Sequence, residues 1–182
     1  ASTHEGEEEL VVEAQKILYE IDRNFLLILV PRHPNRSELI LKNIAVYSTP
    51  TKTRSKNQKI AKDTSIYLAD TLGELGLWFK LSKIVFLGGS LVKIGGHNPY
   101  EPCRFGCAII TGAYVHNFRK AFDQLSEKRA VKYVKSAQEL VESVKTLSNH
   151  ENANTMGQRG LKYVNSLNDE TFRIASKINT FL

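Results

Sequence analysis

Several short polar strings in this chain combine residue types that handle phosphates and sugar hydroxyls, and most directly follow an apolar run. In Pro31-Arg-His-Pro-Asn-Arg36, Arg32 closes the preceding run. Its guanidinium is a planar fork of N–H donors that matches phosphate oxygens, and His33 could add another donor. The plainer reading is a surface turn fixed by two prolines, and the string alone supports both. Phe86-Leu-Gly-Gly-Ser-Leu-Val-Lys-Ile-Gly-Gly-His-Asn-Pro-Tyr-Glu-Pro102 carries two glycine pairs, which let a backbone turn sharply or approach another group closely. Asn98 is a good helix cap, Pro99 suits a first helical position, and Glu101 falls where a capping box would place it. A carboxylate at a helix start beside a glycine loop is equally well placed for a ribose diol. The glycine spacing is neither that of the dinucleotide fingerprint nor that of the P-loop.

Three further strings are less specific. Asp70-Thr-Leu-Gly-Glu-Leu-Gly76 follows an apolar run. Thr71 can cap a short helix holding Leu75, Leu77, Trp78 and Leu81, whose free amides around Gly73 would suit an anion. Trp78 and Phe79 read as core. Ala1-Ser-Thr-His-Glu-Gly-Glu-Glu-Glu9 reads as the end of a strand, a turn and a helix start. Ser2 or Thr3 would cap that helix, with acids in its first turn; alternatively Ser2, Thr3, His4 and Gly6 meet a ligand. In Thr111-Gly-Ala-Tyr-Val-His-Asn-Phe118, Gly112 can turn the chain and His116 reads as a cap or surface residue.

The elements that must hold these strings are short apolar strands alternating with amphipathic helices. Phe25–Val30 is a continuous apolar run, Ser65–Ala69, Lys83–Leu87 and Cys107–Ile110 are similar, and Val131–Val134 is a weaker case. Such runs suit parallel strands buried on both faces. Leu10, Val11, Ala14, Ile17, Leu18 and Ile21 repeat at helical spacing, as do Ala137, Leu140, Val141, Val144 and Leu147. Ile174, Ala175, Ile178, Phe181 and Leu182 do the same at the end of the chain. The pattern predicts an α/β fold: a Rossmann-like parallel sheet with helices on both faces and right-handed crossovers. Ligands of such sheets bind beyond the carboxyl ends of the strands, which is where the polar strings fall. We expect one domain over residues 1–182.

Composition removes several function classes. The 182 residues, 42% hydrophobic and 24% charged, suffice for a core without staples. Cys103 and Cys107 are the two cysteines; with no histidine at zinc spacing they read as reduced, partly buried thiols. No run approaches the about 18 apolar residues of a membrane span, and no signal peptide is visible. The chain opens at Ala1 inside a polar motif, which reads as a cut within a longer protein. The net charge is +6, with Lys52, Arg54, Lys56, Lys59 and Lys62 close together. These read as a solvated basic loop or, more sharply, a membrane-facing patch. Aromatics do not interleave with them as in single-strand nucleic-acid binders.

Taken together and in order, ASTHEGEE, PRHPNR, DTLGELGLWF, FLGGSLVKIGGHNPYEP and TGAYVHNF resemble the carboxy-terminal domain of bacterial 3-deoxy-D-manno-octulosonic acid (Kdo) transferases. The likeness covers Ala1 to about Phe118 and thins to a generic helical tail. Tyr114 stands where the family commonly has histidine, and the stretch from Val46 to Lys59 is longer and more basic than usual. The resemblance implies the carboxy-terminal half of a GT-B glycosyltransferase with CMP-Kdo at the carboxyl edge of the sheet. Arg32 would meet the donor phosphate, helped by Ser2 and Thr3. Glu101 would bind the ribose hydroxyls, and Gly88, Gly89, Ser90, Asn98 and the amides around Gly73 would line the nucleotide. It further implies inverting transfer of Kdo to a lipid A precursor in lipopolysaccharide biosynthesis, with no metal and no cofactor. The general base, the acceptor site and the membrane anchor would belong to an amino-terminal domain at the cytoplasmic face of the inner membrane, so this chain alone would bind donor without turnover. The rival readings are another GT-B transferase or a sugar-nucleotide epimerase using a uridine nucleotide, and a basic nucleic-acid-binding domain.

Overall fold

The computed structural model describes residues 1–179. The chain enters α1 (Glu7–Ile21), then β1 (Leu27–Leu29), α2 (Ser37–Ile44), β2 (Thr51–Thr53) and β3 (Ile66–Leu68). It continues through α3 (Leu75–Leu81), β4 (Ile84–Leu87), α4 (Tyr100–Arg104), β5 (Ala108–Thr111) and α5 (Arg119–Glu127). It ends with β6 (Val131–Tyr133), α6 (Ala137–Ser148) and α7 (His150–Asn179). The apolar runs are the strands, and β3 and β5, the middle strand of each set, are buried throughout. The helical tail runs to Asn179, while Phe181 and Leu182 of the terminal stripe lie outside the described residues.

Every strand pairing is parallel, in the orders β2-β3-β1 and β4-β5-β6. Residues 1–3 join the two halves. The Thr3 amide donates to the Val30 carbonyl at 3.3 Å, and the Arg32 amide donates to the Thr3 carbonyl at 3.0 Å. On the other side the Gly88 amide donates to the Ala1 carbonyl at 2.9 Å, and the Ala1 amino group donates to the Phe86 carbonyl at 2.6 Å. The order is therefore β2-β3-β1, then Ala1–Thr3, then β4-β5-β6. The chain fills one side of this opening segment and then the other, which makes it the topological switch point where such sheets take ligands.

Both faces are covered. Leu29, Ile66 and Leu68 pack against Val12 of α1 and Ile40 and Ile44 of α2. On the same face Phe86, Ala108 and Ile110 meet α1, α6 and the start of α7. The opposite face holds Tyr67 and Ala69 against Trp78 of α3, and Leu87 and Ile109 against Cys103, Phe122, Leu125 and Val164. Each Leu or Ile so enclosed contributes about 1.5–3 kcal/mol. Cys103 and Cys107 are free thiols, as expected, and are fully rather than partly buried.

Local expectations needed correction. β2 lies in Thr-Lys-Thr, which has no apolar run; it is an edge strand paired to β3 alone. Neither Ser2 nor Thr3 caps α1: Gly6 holds that place at φ 87° with no side-chain bond. Thr71 does not cap α3 either; Glu74 precedes that helix, and the Thr71 hydroxyl donates to its carboxylate.

Candidate functional site

At the carboxyl edge of the switch point lies a cavity of about 260 Å³. Ser2, Arg32, Asn98 and Glu101 line it together, with Leu75, Phe79, Leu87, His97 and Phe118 completing the wall. Four of the residues singled out in the sequence thus converge from three loops. Ser2 sits in the left-handed region, at φ 57°, where the opening segment leaves the sheet. Arg32 follows β1, and its backbone is fixed by the bond to Thr3. Its neighbour Arg36 is engaged elsewhere, donating to Glu8 at 3.0 Å. No ion pair or hydrogen bond occupies the Arg32 guanidinium among the described residues, so the fork is free for an anion.

Asn98 and Glu101 come from the loop after β4. The Asn98 side-chain oxygen accepts the Tyr100 amide at 3.0 Å, so Asn98 starts the turn into α4 as a capping residue does. Pro99 stands one place before the helix rather than in it. The capping box does not form, and the Glu101 carboxylate has no hydrogen-bond or ion-pair partner among the described residues. An exposed arginine and an exposed glutamate, each unpaired, therefore share one small cavity.

The other expected residues stand off the cavity, and the reason is an internal anion. The Glu7 carboxylate enters the loop after β4 and accepts the amides of Gly89 at 2.6 Å, Ser90 at 2.9 Å and Leu91 at 2.9 Å. The His4 amide also donates to it, at 3.0 Å. The glycine loop is thus a nest of amides occupied by the protein's own side chain. Ser90 is wholly buried; its hydroxyl donates to the Leu87 carbonyl at 2.7 Å and accepts the Gly112 amide at 2.8 Å. Gly88 is required by close approach: a Cβ there would lie 2.6 Å from the Ser2 carbonyl oxygen. Gly89, at φ 67°, lies beneath the His97 ring. These three hold up the cavity floor and do not line it. Thr3 is fully buried between the two halves of the sheet. Gly73 faces open space, and α3 reaches the cavity through Leu75 and Phe79 instead.

His97 was not singled out by the sequence. Its Nε2 lies 2.9 Å from the Nε2 of His4, the two ring planes lie within 8° of parallel with centroids 5.1 Å apart, and His33 meets His4 edge-on at 5.7 Å. Burial, then the charges of His4 and Arg32, push His97 down to about 4. Burial chiefly lowers His4 as well, against the pull of Glu7. The basic segment is anchored at its base. Arg54 donates to Glu74 at 3.1 and 2.6 Å and lies over the Trp78 ring at 5.9 Å. Among the described residues no group of three or more His, Cys, Asp or Glu side chains is arranged to hold a metal ion, and no helix is long and apolar enough to cross a membrane.

No protein-family model matches the chain. It is 39% identical over 162 residues to the 3-deoxy-D-manno-octulosonic acid transferase of Haemophilus influenzae, covering 88% of this chain and 38% of that protein. It is 33% identical to the enzyme of the same name from Rickettsia typhi, covering 84% of this chain and 33% of that one. The chain therefore spans about a third of the length of these relatives. Among solved structures, the C-terminal CMP-Kdo binding domain of WaaA from Acinetobacter baumannii superposes with a TM-score of 0.83 at 34% identity, over 88% of this chain and 84% of that one. With the shared sheet, the convergent loops and this agreement over nearly a whole domain, the chain belongs to the 3-deoxy-D-manno-octulosonic acid transferase family.

Proposed function

We propose that the cavity at the switch point binds the CMP portion of CMP-Kdo and that residues 1–182 are the donor-binding half of a two-domain GT-B transferase. The observation that carries this reading is the convergence of unpaired Arg32 and Glu101 on one cavity. A nucleoside monophosphate has a phosphate for a guanidinium fork and a ribose diol for a carboxylate. Ser2 adds a hydroxyl beside the phosphate, and Asn98 holds the start of α4 so that Glu101 reaches the diol. As the glycosidic bond breaks, charge grows on the departing phosphate, and Arg32 stabilises it where it forms. The sugar goes with inversion to a hydroxyl of a lipid A precursor in lipopolysaccharide biosynthesis. An amino-terminal domain at the cytoplasmic face of the inner membrane presents that acceptor. No metal and no cofactor takes part in this scheme.

Calorimetric titration with CMP tests the reading. Glu101→Ala should weaken CMP binding by about 1.5–3 kcal/mol, the worth of a hydrogen bond to a charged group, while leaving Tm unchanged because Glu101 has no internal partner. Unchanged CMP affinity would remove Glu101 from the ribose site. Tighter binding of UMP or UDP than of CMP would favour a uridine-nucleotide enzyme instead. Tight, salt-sensitive binding of DNA or RNA would favour a nucleic-acid-binding domain.

A further inference from the structure

β2 and β3 are parallel neighbours, so the chain must cross from the carboxyl end of one to the amino end of the other. The other strand-to-strand connections each contain a helix. Residues 54–65 make this crossing without one, and every residue from 55 to 63 is exposed. The crossing is nevertheless fastened at both ends. Arg54 holds Glu74, and the Ser55 amide and hydroxyl donate to Asp70 at 2.9 and 2.7 Å. The Gln58 side-chain oxygen accepts the Thr53 amide at 2.8 Å. At the far end the Ala61 amide donates to the Thr64 hydroxyl oxygen at 2.9 Å.

What this frame presents is cationic. Lys52, Lys56, Lys59 and Lys62 form no ion pair among the described residues, and no acid stands between them in the sequence. Lys52 guards the open edge of the sheet, as edge lysines do. Lys56, Lys59 and Lys62 lie past the end of the strand and have no edge to guard. Two aliphatic side chains accompany them. Ile60 is 48% exposed, and Leu72, in the turn that Arg54 holds through Glu74, is 81% exposed. The donor cavity uses none of these residues.

We propose that this crossing is a docking surface for an anionic bilayer, a membrane contact within this half of the protein and additional to any that an amino-terminal domain makes. Lysine ammonium groups meet lipid phosphates as compact point charges, and each basic residue near such a surface strengthens binding about fivefold. Attraction of this kind adds to the burial of apolar area at the headgroup boundary, which Ile60 and Leu72 supply. Nucleic acid fits the same surface less well. Arg54, the one guanidinium of the segment, is committed to Glu74, and residues 52–62 include no aromatic ring on which a base could stack.

The test is co-sedimentation of the chain with vesicles of equal parts phosphatidylglycerol and phosphatidylcholine, against vesicles of phosphatidylcholine alone. The chain should bind the first and not the second, and added salt should release it. Lys56→Gln, Lys59→Gln and Lys62→Gln combined should weaken binding about 100-fold. Lys120→Gln, Lys128→Gln and Lys162→Gln combined remove the same charge from exposed sites elsewhere and should weaken it less than about threefold. Ile60→Ser should weaken it about fivefold. Tm should stay where the parent has it in every variant, because these side chains are on the surface. Absence of binding to the anionic vesicles would overturn the proposal, and so would equal losses in the two triple variants. Ile60→Ser binding as the parent does, with duplex DNA bound as tightly as the vesicles, would also overturn it and make the crossing a site for a soluble polyanion. None of these readouts involves the donor nucleotide, so the outcome is independent of the donor-site reading.

Discussion

The His4–His97 contact sets the protonation state of the cavity wall. Two Nε2 atoms 2.9 Å apart share one proton: one ring donates, the other accepts, and a second proton turns attraction into repulsion between cations. Arg32, Arg36 and His33 add positive potential, while Glu7 opposes them. Burial first, and then these charges, hold both histidines below the ordinary 6.5, with His97 near 4. When the folded value is depressed, the unfolded chain binds the proton more readily. The stabilisation is complete above pH 6.5 and is lost as pH falls toward about 4. Tm of the parent chain should fall more steeply between pH 6.5 and 5 than that of His97→Gln, which has no titrating ring. Parallel Tm–pH curves would show that the pair does not govern acid sensitivity. That Arg32, Asn98 and Glu101 would come together on one cavity was legible because each sits just past a strand or at a helix start, and the sheet's geometry directs such positions to one edge. His97 was not, because its partner lies 93 residues away and no local spacing reports that contact.

At the scale of elements, the apolar runs announced five strands, and periodicity announced α1, α6 and α7. The edge strand β2 escaped because its side chains are polar and its place comes from pairing with β3. The acids opening α1 read as complements to a helix dipole, yet Glu7 does something more specific: it ties α1 to the loop after β4. Gly89, Ser90 and Leu91 all donate to it, and the glycine loop that the family resemblance set along the nucleotide wraps this carboxylate. Glu7→Gln keeps the volume but leaves one oxygen for a nest built for two and aims an NH₂ group at N–H donors. We expect a loss of about 3 kcal/mol, read as a Tm drop of about 6–12 °C. A drop below about 2 °C would mean that water or a shifted loop satisfies the amides equally well, and that the loop does not depend on Glu7 for its shape.

For the whole molecule, alternating strands and helices indicated a parallel sheet with helices on both faces. The order of the strands was not legible, since pairing between distant segments leaves no local mark. That order puts the cavity at the reversal point, and the cavity's chemistry limits what the chain does alone. Among the described residues Glu101 is the one carboxylate lining it, and the donor reading engages it with ribose. His97, pushed down to about 4, is too weak a base to take a proton from a sugar hydroxyl near neutral pH. Arg32, in the same reading, meets the leaving phosphate, and a guanidinium activates no nucleophile. On the proposed donor reading, the base that deprotonates the acceptor is expected from residues outside this chain. The 182-residue chain should accordingly bind CMP while showing no transfer from CMP-Kdo to a lipid A precursor above the uncatalysed background, with activity appearing only in the full-length enzyme. Measurable transfer by this chain alone would place a competent base among its own residues and reassign Glu101 or His97 from binding to chemistry.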